Sequence, residues 1–297
     1  MVAITTITIW AAFGAVATAR VAGMSSRDSV AIKAPKIQIK RATCTRETLL
    51  AAADAYVAAQ TAGSLDPLKP VLAANWTYEQ NNGVVTDPAK SVIATKALKI
   101  ANRRTIVDLV QCATYTELIA PDNKDPYVIG TQIHHDPADT TKIRLIDTIA
   151  STTGAWLFDA KETLRYALQE KWDPIPEGKR DSRELIKAAG DAYMDLWSSS
   201  TAEARVPWGT PCARLEGGKY TGKGRADDSC KAGVPSNHNQ APNSRRRYVI
   251  DESMGSVNIL CVWEHMMNAA DSHEFRLENG KLRYIHTMTD CGQVCRL

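Results

Sequence analysis

The chain of 297 residues has no phosphate-cradling glycine motif, no G-x-S-x-G elbow and no dinucleotide fingerprint. Their absence sets aside the common nucleotide-dependent and serine-hydrolase chemistries and leaves a site expected to work without a cofactor. No C-x-x-C pair and no metal-ligand spacing occur among the seven cysteines, at 44, 112, 212, 230, 261, 291 and 295, so no metal is expected. Charge of one sign is scarce too. A net charge of +3, dispersed along the chain, gives no reason to expect nucleic acid as a partner. Arg245-Arg246-Arg247 is the one sharp basic cluster and reads as the solvated start of a strand. Beyond the N-terminus no stretch approaches the roughly 18 apolar residues that a membrane span requires, so a soluble chain is expected.

What is present begins with an apolar run over residues 2–19 that ends in the small residues Ala17-Thr18-Ala19. It fits a secretory signal over 1–19, although no Lys or Arg precedes it. Residues 20–43 are polar and carry Lys40-Arg41 just before Cys44, which suits a disordered extension or pro-segment. Asn75-Trp76-Thr77 is a formal glycosylation acceptor and agrees with a secretory-pathway or extracellular location. In that compartment the cysteines read as disulfides with one thiol left over. Cys212 and Cys230 bracket a glycine-rich loop and form the best local pair, whereas Cys44, Cys112, Cys291 and Cys295 allow several pairings. Cys261 lies in an apolar run and reads as the free, buried thiol.

The chain repeats itself. Lys281-Leu282-Arg283-Tyr284-Ile285-His286-Thr287 echoes Lys142-Ile143-Arg144-Leu145-Ile146-Asp147-Thr148 at an offset of 139 (286 minus 147). Gly190-Asp191-Ala192-Tyr193 echoes Ala53-Asp54-Ala55-Tyr56 at 137, and Leu215-Glu216 echoes Tyr78-Glu79 at 137. Matches in the same order at nearly constant offset imply tandem copies of one domain, over 44–173 and 182–297 with a linker at 174–181.

Within each copy an amphipathic helix comes first, at 47–59 and 183–197. Asp87-Pro88 starts a further helix, and 156–172 reads as a short strand end and then a helix. Runs rich in β-branched and aromatic residues follow each opening helix, at 105–110, 113–119, 127–134 and 142–150, then at 248–250, 256–263, 272–278 and 281–289. The loop over 216–243 is long for a compact domain, a feature that usually marks function or mobility. Helices followed by antiparallel strands give an α+β class. By analogy, each half suits a curved antiparallel sheet wrapped on helices, the cone of the nuclear transport factor 2 (NTF2-like, SnoaL-like) and ketosteroid isomerase type.

Asn279-Gly280 between alternating strands predicts a two-residue hairpin. Counting outward pairs Glu278 with Lys281, Leu277 with Leu282, Arg276 with Arg283, Phe275 with Tyr284 and His273 with His286. The apolar face, and with it both histidines, then points inward, while Arg276, Arg283, Glu274 and Glu278 form the opposite, outer face. In the first copy Asp147 is the polar member of the inward face. A buried polar group must find a partner or a solvated pocket, so these residues are either hydrogen-bonded structural groups, pocket residues or, for the histidines, a metal pair lacking a third ligand. Cys212, Arg214 and Glu216 alternate on another strand after Pro207-Trp208-Gly209, and either pair with each other or line a mouth walled by Trp208.

Pro126 to Gln132, Trp156-Leu157-Phe158, Pro207 to Gly218, Arg246 to Glu252 and Asp271 to Arg276 together resemble a fungal family of mostly secreted proteins catalogued as a domain of unknown function. The likeness runs from about Cys44 to Cys291. The chain is also similar to the fungal hetero-Diels-Alderases of tropolone sesquiterpenoid biosynthesis, which join an ortho-quinone methide to the alkene humulene. No catalytic motif of that group maps residue by residue. The long N-terminal extension, Gln80 and Cys261-Val262-Trp263 depart from the family pattern and imply an altered pocket. The resemblance implies apolar small-molecule substrates and a cycloaddition in which positioning contributes up to roughly 7 to 11 kcal/mol; a homodimer is the assembly considered for the chain. His286, His273, Arg214 or Tyr248 would donate a hydrogen bond to the quinone methide oxygen. Trp208, Trp263, Phe275 and Tyr284 would supply apolar walls, with Glu216 and Asp147 also in contact with substrate. Two other classes share this pocket: an isomerase or dehydratase with Asp147 or His286 as general base, and a secreted small-molecule-binding protein without turnover.

Overall fold

The computed structural model describes residues 43–295. The expected leader over 1–19 and the extension over 20–43, apart from Thr43, lie outside the described residues. Helix α1 (Arg46–Ala62) starts where the Thr45 hydroxyl accepts from the Thr48 N–H and stops at Gly63, whose left-handed backbone ends the helix. A Cβ at Gly63 would meet the Ala97 backbone nitrogen at 2.6 Å, so close approach as well as φ selects glycine. Next come β1 (Leu72–Gln80), β2 (Gly83–Val84), the one-turn α2 (Val92–Thr95), β3 (Asn102–Asp108), β4 (Ala113–Ala120), β5 (Tyr127–His135) and β6 (Ile143–Ser151). The helix expected from Asp87-Pro88 is therefore only a 3₁₀ turn and α2, after which the chain runs extended. Helix α3 (Ala160–Ala167) and a Pro-containing connector lead to α4 (Arg183–Met194), β7 (Ala213–Glu216), β8 (Lys219–Tyr220), β9 (Ser244–Asp251), β10 (Ser256–Trp263), β11 (Ala269–Glu278) and β12 (Lys281–Asp290).

The strands form two six-stranded sheets of the same order, β2-β1-β6-β5-β4-β3 and β8-β7-β12-β11-β10-β9. The chain is thus a mixed α+β protein of two similar halves. The sheets are not purely antiparallel as expected: β1 runs parallel to β6, and β7 to β12. Each parallel partner is reached only after the rest of its half has been laid down, the long crossover that parallel pairing requires.

The Asn279-Gly280 hairpin pairs Glu278 with Lys281 and Leu277 with Leu282, as the turn dictates. There the expected register ends. Arg283 bulges, so Arg276 pairs with Tyr284, Phe275 with Ile285, Glu274 with His286 and His273 with Thr287. His273 and His286 are not cross-strand neighbours; one extra residue turns them to opposite faces. The first half bulges at the equivalent Arg144, between the pairs His134–Leu145 and His135–Ile143. The two bulges are 139 positions apart, the offset of the sequence echo.

Three apolar layers hold the fold. Tyr56, Tyr78, Leu118 and Ile129 fill the helix side of the first sheet. Ile186, Tyr193, Ile259 and Phe275 fill the helix side of the second. Ile106, Ile149, Val249, Leu260 and Met288 fill the space between the sheets. Both faces of each sheet are covered, which is why Glu274 and Arg276, expected on an outer face, are buried. Reciprocal ion pairs tie the halves together. Arg46 at the start of α1 reaches Asp251 of β9 (2.8 Å), and Arg183 at the start of α4 reaches Asp108 of β3 (2.7 Å). The Val107 and Ile250 N–H groups donate to the same two aspartates. Residue i of one half thus contacts residue j of the other and the reverse, as in an isologous contact.

Of the basic triplet expected to be solvated, Arg245 is exposed but Arg246 and Arg247 are largely covered, and all three are paired. Arg245 pairs with Glu79, Arg246 with Asp191 and Asp195, and Arg247 with Asp147. Disulfides join Cys44–Cys112, Cys212–Cys230 and Cys291–Cys295, and Cys261 is free and buried. The second pair and the free thiol are those expected, and three disulfides fit an oxidising, secretory-type compartment. No helix of the described residues is long and apolar enough to cross a membrane.

Candidate functional site

The register divides the candidate residues between two places. On the helix side of the second sheet lie His273, Phe275, Arg214, Glu216, Trp208, Trp263 and Tyr248. Between the sheets lie His286, Tyr284 and Asp147.

The helix-side chamber, a closely packed aromatic cluster rather than an open cavity, is built around Tyr193 of α4. Its ring packs against Trp197, Trp208, His273 and Phe275 with centroids 5.0–5.9 Å apart. Trp263 closes the row against Trp197 at 5.6 Å. Within this aromatic cage, His273 is 3% exposed, and its Nδ1 lies 2.7 Å from Asp271 Oδ2. Asp271 sits two residues earlier on the same strand face and accepts from the Thr289 hydroxyl (2.7 Å) and the Cys261 thiol (3.3 Å). A carboxylate can only accept, so the His273 ring donates from Nδ1 and, when neutral, carries its lone pair on Nε2. Among the described residues nothing bonds to that nitrogen.

Opposite, Arg214 donates through Nη1 to the Tyr193 hydroxyl (2.9 Å) and through Nη2 to the Ala232 carbonyl, and it pairs with Glu216 (2.9 Å). Burial opposes its charge, but Tyr193 and Glu216 outweigh it and raise the Arg214 pKa. Glu216 also accepts from Trp156 Nε1 (2.9 Å). Trp208 Nε1, Arg214 Nε and Thr287 Oγ1 are buried and find no hydrogen-bond partner among the described residues. Tyr248 stands at the margin. Its hydroxyl donates to Asp191 (2.7 Å), and burial followed by that carboxylate pushes its pKa up.

The long segment after β8 covers the chamber. Gln240 donates its N–H to the Trp197 carbonyl (3.0 Å) and accepts from Trp263 Nε1 (3.1 Å). The His238 ring bonds the Leu196 carbonyl, and Cys230 anchors the segment to Cys212. Gly233, with positive φ, lets the backbone approach so closely that a Cβ would lie 2.7 Å from Arg214 Nη2.

Between the sheets, His286 Nδ1 faces the Glu117 carboxylate (3.0 Å) and Nε2 faces Glu170 (2.7 Å). Burial alone would lower its pKa, but the charges of Glu117 and Glu170 prevail and hold it at about 9, so the ring is an imidazolium at neutral pH. Arg104 bonds Glu274 (2.6 Å) and Glu117 (3.1 Å) beneath the Trp172 ring, 3.7 Å from its centroid, and Trp172 stacks on Tyr284. Burial raises the Glu117 pKa, but Arg104 and His286 outweigh it and bring the carboxyl below its usual range. Asp147, the counterpart of His286, simply meets Arg247 (2.5 Å). These residues neutralise one another across the two halves, and both His286 nitrogens are occupied, so the ring cannot serve as a base.

Asp271, Tyr193 and Trp197, and the inter-sheet Arg104, Glu117, Glu170 and Glu274, escaped the sequence reading. The first could have been found, since Asp-x-His on a strand places both side chains on one face. Among the described residues no group of three His, Cys, Asp or Glu side chains is placed to hold a metal ion.

No curated protein matches the chain. A family model described as a domain of unknown function (DUF8021) matches residues 179–289, the stretch that carries α4, the covering segment and the Asp271–His273 pair.

Proposed function

We propose that the chain is a secreted, cofactor-independent enzyme acting on an apolar small molecule in the chamber of its second half, with His273 as the group that moves a proton. The observation that carries this reading is the Asp271–His273 pair inside an aromatic cage with Nε2 unengaged. A neutral imidazole held in one tautomer by a carboxylate is suited to general base catalysis, which contributes about 10² to 10⁴ in rate. In the step proposed, Nε2 takes a proton from carbon next to a carbonyl, the C–H electrons move to the oxygen, and the ring returns the proton at a second carbon. This is an isomerisation of the ketosteroid type. The base is His273 rather than Asp147 or His286, both of which are engaged between the sheets. The strand order of each half, with a helix on one face, supports the finer assignment to the NTF2-like cone.

Incubating the full chain in D₂O with an α,β- or β,γ-unsaturated cyclic ketone tests the reading. Deuterium should enter the substrate faster than in the buffer control, and His273→Ala should remove the excess. Exchange no faster than buffer across a panel of such ketones would set the proton-transfer reading aside.

A second reading, the hetero-Diels-Alder addition of an ortho-quinone methide to a terpene alkene such as humulene, is favoured by the wall of Trp197, Trp208, Trp263 and Phe275. Pericyclic addition needs positioning rather than a base. Chiral product formation above background, retained in His273→Ala, would select it over isomerisation.

A further inference from the structure

We infer that the chamber is built for a ligand whose apolar ring body carries a carbonyl or phenolate oxygen, read by a donor wall of Tyr193, Arg214 and Trp208. The inference rests on the assignment of this chamber as the working site and adds the chemistry of what it holds.

The chamber's hydrogen bonds do not balance. Arg214 spends Nη1 on the Tyr193 oxygen and Nη2 on Ala232 and Glu216, and its Nε–H is left buried without an acceptor. Trp208 Nε1–H is in the same state. The Tyr193 oxygen accepts from Arg214, and its own proton meets no acceptor among the described residues. Thr287, opposite His273 on the neighbouring strand, has a buried hydroxyl without a partner. Three N–H or O–H groups thus seek acceptors, with the Thr287 hydroxyl able to give or accept, and none of them finds one among the described residues. Buried donors left unpaired cost about 1–3 kcal/mol each, so an arrangement of this kind calls for an acceptor from outside the protein.

These donors stand together. Arg214 touches the Tyr193 hydroxyl, and Trp208 lies edge-on to the same ring at 5.9 Å. Lys231, 5.0 Å above the Trp208 ring, precedes the Ala232 that receives Arg214, so one short piece of the covering segment spans both. The remaining wall is aromatic: Trp197, Trp263 and Phe275 offer ring faces and edges and suit an apolar body. The oxygen end of a ligand would therefore point toward Tyr193, Arg214 and Trp208. The rings touch one another, so a ligand enters only when the covering segment shifts.

The first half is unbalanced in a different way: Gln60 Oε1, beside Tyr56, and the Thr114 hydroxyl are buried without partners among the described residues, but no N–H donor is. At the equivalent positions the Tyr56 hydroxyl bonds Thr131 (2.6 Å), Thr131 bonds Thr148 (3.0 Å) and Tyr78 donates to Gln80 (3.2 Å). The unpaired N–H donors, Trp208 Nε1 and Arg214 Nε, belong to the second half.

Equilibrium dialysis of the full chain against 2-acetylnaphthalene and the near-isosteric 2-ethylnaphthalene tests the inference. The ketone should bind at least about 10-fold more tightly, the scale of one buried hydrogen bond gained or left unmade. Trp208→Phe, which removes the indole N–H and keeps an aromatic side chain, should reduce that preference to about 2-fold. His273→Ala should keep the preference and lose only proton exchange. Equal binding of the two probes to the unaltered chain would overturn the donor wall and leave the proton-transfer reading standing. Binding of neither would overturn both.

Discussion

The two halves share a frame but not a chamber. The opening helices place Tyr56 where the second half has Tyr193, and the strand registers place Thr148 where it has Thr287 and Thr131 where it has His273. Ile129 stands for Asp271, Ala150 for Thr289, Tyr78 for Arg214 and Gln80 for Glu216. The tyrosine that organises the chamber and one threonine are retained. Every ionisable group around them is neutral or apolar in the first half, where the hydroxyls bond one another. A scaffold that needs only stability can fill this layer with hydroxyls that bond one another, even where a lone acceptor such as Gln60 Oε1 is left over. A working site keeps groups whose partners arrive with the substrate, and that difference points to the second half.

The largest expected effect separates the twin positions directly. His273→Ala should lower proton-exchange turnover by about 10²- to 10⁴-fold, and Thr131→Ala should leave it within about 2-fold, both read as kcat/KM on the same ketone. Equal losses would erase the distinction between the chambers.

A second contrast lies between the sheets, where His286 occupies the place of Asp147. The folded His286 pKa, about 9, stands above its ordinary 6.5. The stability it contributes is therefore fully present below about pH 6.5 and is lost as pH rises through about 9. The change is on the order of 3 kcal/mol, read as a falling urea midpoint. His286→Asn should flatten that profile; an unchanged slope would contradict the imidazolium assignment.

Much of this frame could be read from the amino acids. Ala53 to Tyr56 and Gly190 to Tyr193 recur because Asp54 and Asp191 do the same job, receiving Arg103 and Arg246 from the first strand of each antiparallel run. The register of the last hairpin could not be read so far. Asn279-Gly280 sets two pairs, and the bulge at Arg283 reverses every pair beyond. Hydrophobic alternation gives no warning there, because β12 buries one face against α4 and the other against the opposite sheet. The same double burial hid the inter-sheet charges, whose partners come from sequence positions more than 100 apart. Strand β1 gives a weak signal for another reason: Thr77 is its one β-branched residue, and its parallel partner β6 lies far along the chain.

Smaller effects sharpen the comparison of the chambers. Arg214→Met leaves Glu216 without its cation and should cost about 2–3 kcal/mol, below the range for fully buried pairs because Glu216 is partly exposed. Tyr78→Phe, at the twin position, forfeits one neutral hydrogen bond and should cost about 1 kcal/mol. Both are read from urea unfolding. Smallest of all is Gly190→Ala, which installs the residue found at Ala53. Its Cβ would stand 3.0 Å from Ile259 Cδ1 and 3.1 Å from Val257 Cγ1, so crowding offsets the roughly 1 kcal/mol gain in helix propensity. The net change should be close to zero.

Hydrogen exchange read by mass spectrometry, with and without saturating 2-acetylnaphthalene, tests the assignment of the working chamber most directly. Slowed exchange confined to the covering segment over 221–243 and to β11 is the result predicted. Protection over α1 and β1 with the second half unchanged would place the ligand in the wrong chamber and contradict the account.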